Sequence, residues 1–459
     1  MTQTKTELLI QSMEQTKKII DSFCTDWVIK GLIKSQNQIR FSNNQIDINK
    51  RWDEIKLDLF LSRKRRTLEI VVNDLSSSNI EKTLTHCDKL LDVLKININY
   101  KHLPEGPFTY SPEIQANIYD PKVEHLDEKA VDIVKEATDS SLIQGASRVA
   151  GTFFYGIDHF YLESSNELKG DYKKTNLNFR IRAFADDMYS TGEAVSCSTH
   201  LDHGFNAKTA GIEAGEICNN ARGGKKGEPG VYNIIIYPKV STELQVPTLA
   251  IAMNSYIKKE GVAWLTAKKP GDKIANEFIS AWDDGTIKYG LESCPFDDEL
   301  VPTKKTCLID HGLLNQFFTN TSYSKKGESS TGNAGITMPK PHNTVFSSGD
   351  CTLKELMEIS EKPTLLITST WYTRYQSYAA PGIFSSIPKD GMFLVKHKGE
   401  ILQPIRELRI NSDHYHMLEN TIALGKELKQ VITWLNPSEN SVFAPFMLIK
   451  DVKMTTGTK

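Results

Sequence analysis

Two histidine pairs have residue types and spacing that could support chemistry. His200 and His203 are three residues apart in the run THLDH. His414 and His416 are two apart, and on a strand they would share one face. Either pair could hold part of a metal site if a third ligand came from elsewhere. No glutamate adjoins His200 or His203 as a general base, so we expect surface or capping roles for these histidines.

Two other segments have residue types that occur in ion-binding sites. Asp297, Asp298 and Glu299 place three carboxylates in a row, but the run lacks the alternating oxygen donors and the turn glycine of a calcium loop. We therefore expect a solvated turn there. The glycine-rich stretch 222–230 (RGGKKGEPG) lacks the GK[ST] ending of a phosphate-binding loop, and we interpret it as a linker between domains.

Composition limits the classes of protein that are possible. The 459 residues are enough for two or three domains. Lys and Arg total 55 against 57 Asp and Glu, which gives no electrostatic case for binding nucleic acid or a membrane. The seven cysteines are scattered without a CxxC pair, as expected for free thiols in a reducing compartment. Neither a signal peptide nor an apolar run of membrane-spanning length is evident, so we expect a cytoplasmic protein.

Hydrophobic periodicity predicts an α+β protein with three modules. Residues 1–110 form an N-terminal α/β module with helices at 5–24 and after Ser76 and with alternating strands between them. Residues 111–227 form a central α+β module in which a helix lined by small residues covers 206–221. Residues 228–459 contain many short strands with Gly and Pro punctuation, which predicts a β-rich domain resembling a barrel or sandwich.

An ordered set of short motifs resembles one known family. The motifs are PGVYNIIIYP at 229–238, GDKI at 271–274, CPFDDE at 294–299 with VPT at 301–303, LIDHGLL at 308–314, STGNA at 330–334 and KGEI at 398–401. Their order is similar to that of the TldD/PmbA proteins, once called modulators of DNA gyrase and now grouped as metallopeptidases. The resemblance covers about residues 20–455, with Leu300 in place of a glycine. No single motif is specific, but their common order is.

The resemblance also implies that the catalytic motif is missing. Catalytic members of the family carry HExxxH, in which two histidines bind zinc and the glutamate is the general base, and a C-terminal cysteine completes the ligands. These positions fall on Val246, Pro247 and Ile251, and the last cysteine of the chain is Cys351. The chain therefore resembles the PmbA/TldE-type members. This implies no cofactor in this chain, zinc in a partner chain, and an open question about any activity of its own.

An aromatic segment is the candidate for substrate binding. Trp371, Tyr372 and Tyr375 lie beside Arg374 and could line a peptide groove with large contact areas. Core packing or a dimer contact would explain the same residues equally well.

The resulting hypothesis is a non-catalytic subunit of a cytoplasmic TldD/TldE-type peptidase complex that processes unstructured peptides. Its partner would be a TldD-like chain carrying HExxxH, in a heterodimer. Two alternatives stay open. One is a homodimeric binding or scaffold protein of the same fold, and the other is an independent metal-dependent hydrolase that uses His200 and His203 or His414 and His416.

Overall fold

The computed structural model describes residues 4–187, 189–244, 246–336, 338–360, 362–376, 382–395, 400–432 and 440–456. It is an α+β protein with 24% helix and 41% strand, as the hydrophobic periodicity predicted. Among the described helices, none is both long and apolar enough to cross a membrane.

One antiparallel sheet of six strands organises the first half of the chain. Its strands, in chain order, are β1 (Asp26–Ser42), β2 (Gln45–Arg63), β3 (Arg66–Val72), β4 (Arg148–Ser164), β5 (Lys169–Phe184) and β6 (Thr191–Ser198). The spatial order is β3-β2-β1-β4-β5-β6. The long pairing of β1 with β4, from Val28–Ser164 to Phe41–Gly151, makes the sheet continuous across residue 110, where the sequence placed a module boundary.

Six helices cover this sheet. They are α1 (Lys5–Ile20), α2 (Ser77–Val93), α3 (Pro112–Ile118), α4 (Pro121–Glu124), α5 (Asp127–Ile143) and α6 (Ala207–Asn220). The apolar faces of α1 and α2 pack with β1 and β2 in one core, and those of α5 and α6 pack with β4 and β5 in another. The helices predicted at 5–24, after Ser76 and at 206–221 are thus confirmed. The first begins at a capping box of Thr4 and Glu7.

A closed barrel of five strands forms the centre of the second half. In spatial order the strands are β13 (Thr364–Tyr375), β8 (Gly230–Ile236), β20 (Met447–Thr456), β16 (Leu408–Asp413) and β14 (Ile383–Val395), and β13 also pairs with β14 to close the ring. This confirms the barrel-like expectation. Buried Ile234, Ile367 and Ile449 lie in its apolar core.

The remaining elements surround the barrel. A second six-stranded sheet has the order β11-β10-β9-β12-β19-β18. Its strands are β9 (Ala281–Asp284), β10 (Lys305–Asp310), β11 (Leu313–Leu314), β12 (Asn343–Phe346), β18 (Lys429–Val431) and β19 (Ser441–Ala444). Three further strands are β7 (Lys225–Lys226), β15 (Ile401–Arg406) and β17 (Thr421–Leu424). The helices of this half are α7 (Pro238–Leu244), α8 (Val246–Ala252), α9 (Ser255–Glu260), α10 (Leu353–Ile359) and α11 (His414–Glu419).

A tight turn at 310–312 joins β10 to β11, where His311 and Gly312 take positive φ angles of 45° and 78°. Residues 398–399, which begin the KGEI motif, lie outside the described residues. The stretch 222–230 is more than a linker, since β7 within it pairs in parallel with β15 and docks the connection on the barrel.

Close packing of α5 on α6 yields the first prediction. A Cβ atom at Gly211 would lie 2.2 Å from the carbonyl oxygen of Ala137, which is helix backbone and cannot move aside. We expect Gly211→Ala to destabilise the protein by about 1–2 kcal/mol, because overpacking outweighs the gain in helix propensity. Urea denaturation measures this. Glu216→Ala, on the exposed face of α6, is the control and should change stability by less than about 0.5 kcal/mol; an equal effect of both variants would contradict the packing argument.

Candidate functional site

The helices that follow barrel strand β8 contain the positions to which the family resemblance assigns the HExxxH motif. Strand β8 ends at Ile236, α7 follows at Pro238–Leu244, and α8 covers Val246–Ala252. A new helix begins at Val246 with Pro247 in its first turn, where proline is tolerated because its missing N–H has no helical acceptor. The side chains of Val246 and Pro247 lie outside the described part of the structure, and Ile251 is half-buried.

The residues present at these positions do not fit zinc. Val246, Pro247 and Ile251 have no side-chain nitrogen, oxygen or sulfur that could donate to a metal. Across the described ranges of the chain, no group of three or more His, Cys, Asp and Glu residues could hold a metal ion either. The chemistry of this site therefore cannot be derived through a metal bound by this helix.

A buried ion network occupies the preceding helix instead. Lys239 and Glu243 are one helical turn apart on α7, and both are buried. The ammonium group of Lys239 also lies 3.2 Å from a carboxylate oxygen of Glu193, on strand β6 of the first sheet. Glu243 in turn accepts hydrogen bonds of 2.8 Å from the backbone N–H and the hydroxyl of Thr370 on β13. The network thus joins α7 to both halves of the molecule.

Two arginines and one aspartate complete this network. Glu193 accepts an ion pair of 3.0 Å from Arg180 and one of 2.6 Å from Arg182, both on β5. Arg182 reaches further to Asp390 of β14, at 3.2 Å. Three positive and three negative groups therefore meet in one cluster, in which the lysine and the three carboxylates are buried and the two arginines are half-buried. We call these six residues, namely Arg180, Arg182, Glu193, Lys239, Glu243 and Asp390, the ion network.

The electrostatics of the ion network centre on Glu193. Burial alone would raise the pKa of its carboxyl group, but Lys239, Arg180 and Arg182 outweigh this effect and lower the pKa to about 2. The pKa of Lys239 is raised despite its burial, because Glu243 and Glu193 favour the charged ammonium. Both groups are therefore ionised at neutral pH. Removing one partner would leave an uncompensated charge in the interior.

Sequence reasoning missed this network for a physical reason. The spacing of Lys239 and Glu243 is a recognisable i, i+4 pair, which by itself is typical of an exposed helix face. Its burial depends on Glu193, 46 positions earlier in the chain (239 − 193), and on Asp390 far downstream. Only the contact between the first sheet and the barrel brings these charges together.

The structure separates the four residues of the aromatic segment. Trp371, Tyr372 and Arg374 are exposed near the end of β13, where the pairing with β14 shifts register between Trp371 and Arg374. Tyr372 has a positive φ of 57°, and 61% of the residue is exposed. The ring of Trp371 also lies over the guanidinium group of Arg182, 5.6 Å away, and so adjoins the ion network.

Tyr375 belongs to a different environment from its three neighbours. It packs against the barrel core, with its ring 5.9 Å from that of His414 and 6.5 Å from that of Phe384. Its hydroxyl lies 3.5 Å from the carbonyl oxygen of Leu244, at the end of α7. Of the predicted substrate-binding residues, only the other three are therefore displayed together on the surface.

Both histidine pairs make packing contacts with neighbouring residues of the fold. The rings of His200 and His203 are 6.2 Å apart and both contact Tyr289, and burial lowers the pKa of His200. His414 and His416 lie on helix α11, contrary to the strand expectation, because Asp413 caps the helix by accepting from the N–H of His416 at 2.8 Å. Burial lowers the pKa of His414 to about 3.

The acidic triplet is not the solvated turn that the sequence suggested. Asp297 and Glu299 are buried, and only Asp298 reaches a cation, the ammonium group of Lys30 at 2.6 Å. Asp297 accepts a hydrogen bond of 2.7 Å from the N–H of Ala334, so the STGNA loop closes over it. Burial and the charge of Glu299 raise the pKa of Asp297, and burial raises that of Glu299 to about 7. The local sequence does not predict this burial, because it depends on the distant loop at 330–334.

A buried cysteine–histidine pair adjoins the same loop. The sulfur of Cys294 lies 3.7 Å from Nδ1 of His342, whose Nε2 is 2.7 Å from the carbonyl oxygen of Gly332. The backbone N–H of His342 donates to Asp283 at 2.8 Å. Such a pair resembles an activated thiol in residue type, but both side chains are buried, and the contacts hold the STGNA loop in place.

The fold and this site have counterparts among known proteins. The family model for the PmbA/TldA metallopeptidase C-terminal domain matches residues 229–456. The structure superposes on TldE from Thermococcus kodakarensis with a TM-score of 0.81 at 18% identity, covering 97% of this chain and 100% of that one. A Thermotoga maritima protein described as a candidate modulator of a DNA gyrase gives 0.83 at 19% identity, covering 98% and 100%. The fold and the matched C-terminal domain place the chain in a metallopeptidase-like class of proteins.

Curated proteins also resemble this chain in sequence. A zinc metalloprotease TldD homologue of Saccharolobus solfataricus is 21% identical over 369 residues, which are 77% of this chain and 78% of the relative. A metalloprotease TldD homologue of Buchnera aphidicola is 26% identical over 166 residues, or 35% of this chain and 33% of the relative. The match thus covers most of the length of the first of these relatives and about a third of the length of the second. The chain belongs to the TldD/PmbA family.

The ion network makes a pH-dependent prediction. We expect Glu193→Gln to lower the unfolding free energy by about 3–5 kcal/mol at pH 7, because buried Lys239 and the half-buried Arg180 and Arg182 would then face only two carboxylates. The folded pKa of Glu193, about 2, lies below its ordinary 4.5, so its stabilisation is present above pH 4.5 and is lost as pH falls toward 2.

Urea denaturation at pH 7, 4.5 and 3.5 tests this. The difference between wild type and Glu193→Gln should be largest at pH 7 and shrink below pH 4.5. The control is Glu328→Gln, an exposed carboxylate outside the ion network, which should change stability little at any pH. A difference that stays constant from pH 7 to 3.5 would show that the carboxylate charge of Glu193 is not what stabilises the fold.

Proposed function

We propose that this chain is the non-catalytic subunit of a two-chain peptidase whose partner is a TldD-like chain with HExxxH and zinc. One observation carries the proposal: the helix at the motif position begins with Val246 and Pro247 and offers no ligand or general base. In the assembly, the partner supplies zinc-activated water, and this chain supplies part of the enclosing wall and contacts to the peptide.

The contacts that hold the helices at the motif position support a subunit role. The ion network holds α7 against the first sheet and strand β13, so the helices at the motif position keep a defined place without a metal. The largely buried charges of this network cost desolvation, and their mutual contacts fix one arrangement of α7. The shape of this region therefore remains suited to face a partner, although its chemistry does not support hydrolysis.

The end of the β13–β14 hairpin supports peptide contact. Trp371 and Tyr372 expose large rings beside Arg374, a combination that binds peptide side chains and carboxylates with little loss of side-chain entropy. Exposed strand backbone binds extended peptides of many sequences. We propose unstructured peptides as the substrate class on these grounds.

The cysteines fit the compartment that we propose. All seven are free thiols, and Cys87, Cys197, Cys218 and Cys294 are buried. Unpaired thiols persist in reducing surroundings, which favours the cytoplasm.

The subunit role predicts activity only in combination. The chain alone should hold no stoichiometric zinc by elemental analysis and should not cleave unstructured peptides. Co-expression with its HExxxH partner should give a co-purifying complex whose peptidase activity is abolished by chelators, because the general base and the metal belong to the other chain. A partner with the motif glutamate changed to glutamine serves as control and should assemble without activity.

Other results would favour the alternatives. A stable homodimer that ignores the HExxxH chain would indicate the binding or scaffold protein. Chelator-sensitive cleavage by the rigorously purified chain alone, with about one zinc per chain, would indicate an independent hydrolase.

The aromatic segment predicts a contrast between two tyrosines. We expect Tyr372→Ala to reduce peptide processing by the complex several-fold while leaving melting temperature and assembly unchanged, because its side chain is exposed. Tyr375→Ala should lower stability by about 2–3 kcal/mol, since its ring packs against the barrel core. Thermal melting, light scattering and a peptide assay separate these effects. Loss of assembly in Tyr372→Ala would instead identify an interface anchor.

A further inference from the structure

Two adjoining cavities form a groove on the C-terminal half of the molecule. The first has a volume of about 700 Å³ and the second of about 1020 Å³. Both are lined by Lys304 and by most of the segment 324–329, so they meet along this segment. We refer to the two cavities together as the lysine groove.

Positive charge dominates the lysine groove. The first cavity is lined by Lys101, Lys304, Lys325 and Lys326, and the second adds Lys258, Lys259 and Lys269. Among the described residues of its lining, Glu328 is the only acid, 3.6 Å from Lys325. Seven lysines and one glutamate give the groove a charge of +6, whereas the whole chain carries −2. Such a concentration of one sign attracts ligands of the opposite sign.

Carbonyl oxygens orient three of these lysines and leave their positive charges in place. Lys304 donates to the carbonyl oxygen of Ser330 at 3.1 Å, Lys258 donates to that of Thr266 at 3.3 Å, and Lys101 donates to that of Ser324. A carbonyl oxygen fixes the direction of an ammonium group but leaves its net charge in place. Burial and then the charge of Lys325 lower the pKa of Lys258, as expected where cations face one another.

Lysines cover the aromatic rings of the second cavity, and Phe108 of the first is partly buried against a neighbouring apolar cluster. Lys258 lies over the ring of Phe317 at 4.2 Å, and Lys259 lies 5.8 Å from the ring of Tyr323. Tyr323 also packs edge to face with Tyr256 at 5.3 Å. Binding of single-stranded nucleic acid depends on open rings on which bases stack. Within the described lining there is also no arginine, whose planar fork favours phosphate. Carboxylates fit this groove better than nucleotides.

We propose that the lysine groove binds an acidic segment, rich in Asp and Glu, of a peptide that the assembly processes. The identity of the occupant as substrate rests on the proposed function, but binding itself is a property of this chain alone. Dispersed ammonium groups pair with carboxylates spaced along an extended chain and do not require one fixed sequence. The groove thus gives the subunit a preference for acidic peptides.

Fluorescence anisotropy with the full chain tests the proposal. The probes are three labelled, unstructured 12-residue peptides that carry six Glu, six Gln or six Lys at the same positions, and a 20-nucleotide oligothymidylate. At about 30 mM salt the Glu peptide should bind at least tenfold more tightly than the Gln or Lys peptide. This difference should shrink near 300 mM salt, because dissolved ions shorten the distance over which the lysines attract carboxylates.

Charge-reversal variants locate the binding. Lys269→Glu with Lys326→Glu changes one exposed lysine that lines each cavity and should weaken binding of the Glu peptide at least tenfold. The control, Lys82→Glu with Lys89→Glu, changes the net charge equally on the exposed face of α2 and should weaken binding less than twofold. Thermal melting confirms that both variants fold.

Three outcomes would overturn the proposal. Equal binding of the Glu and Gln peptides would show that carboxylates are not recognised. Equal losses in the two double variants would show a non-specific charge effect. Tighter binding of the oligothymidylate than of the Glu peptide, lost in the groove variant, would assign the groove to nucleic acid. None of these outcomes bears on whether the chain pairs with an HExxxH partner, which co-purification decides separately.

Discussion

The carboxylate of Glu193 is the centre of the charged contact between the first sheet and the barrel half of the molecule. It meets Arg180 and Arg182 from its own sheet and Lys239 from the helix that follows barrel strand β8. Burial of this charge is tolerated only because three cations surround it, and they in turn need Glu243 and Asp390. The charges are therefore mutually dependent, and together they fix helix α7 between the sheet and the barrel.

Under the proposed function, this arrangement explains how the helices at the motif position keep their place without binding a metal. A bound metal ion contributes free energy by fixing several side chains at once. Here a set of ion pairs lies on the adjacent helix and holds the same region in place. The residues at the motif positions are then free to be apolar, such as Val246 and Ile251, without loss of the helix that carries them.

Under the proposed function, this chain acts through two surfaces and not through a catalytic group of its own. The end of the β13–β14 hairpin presents Trp371 and Tyr372, and the lysine groove presents seven ammonium groups. Neither surface can break a bond, but both suit contact with an extended chain, one through apolar area and the other through charge. A subunit that holds peptides for a catalytic partner requires these properties and no nucleophile of its own.

The sequence by itself determined the helices of the first half, the barrel-like class of the second half and the lack of ligands at Val246, Pro247 and Ile251, because periodicity and residue type are local properties. Tertiary structure decided which local features meet. The sheet runs across residue 110 because β1 pairs with β4, over a hundred residues away. Asp297 and Glu299 are buried because the loop at 330–334 closes over them, and His414 lies on a helix because Asp413 caps it. The ion network and the lysine groove likewise arise only where distant segments pack together, since burial and electrostatic potential depend on all neighbouring surfaces and not on the local chain.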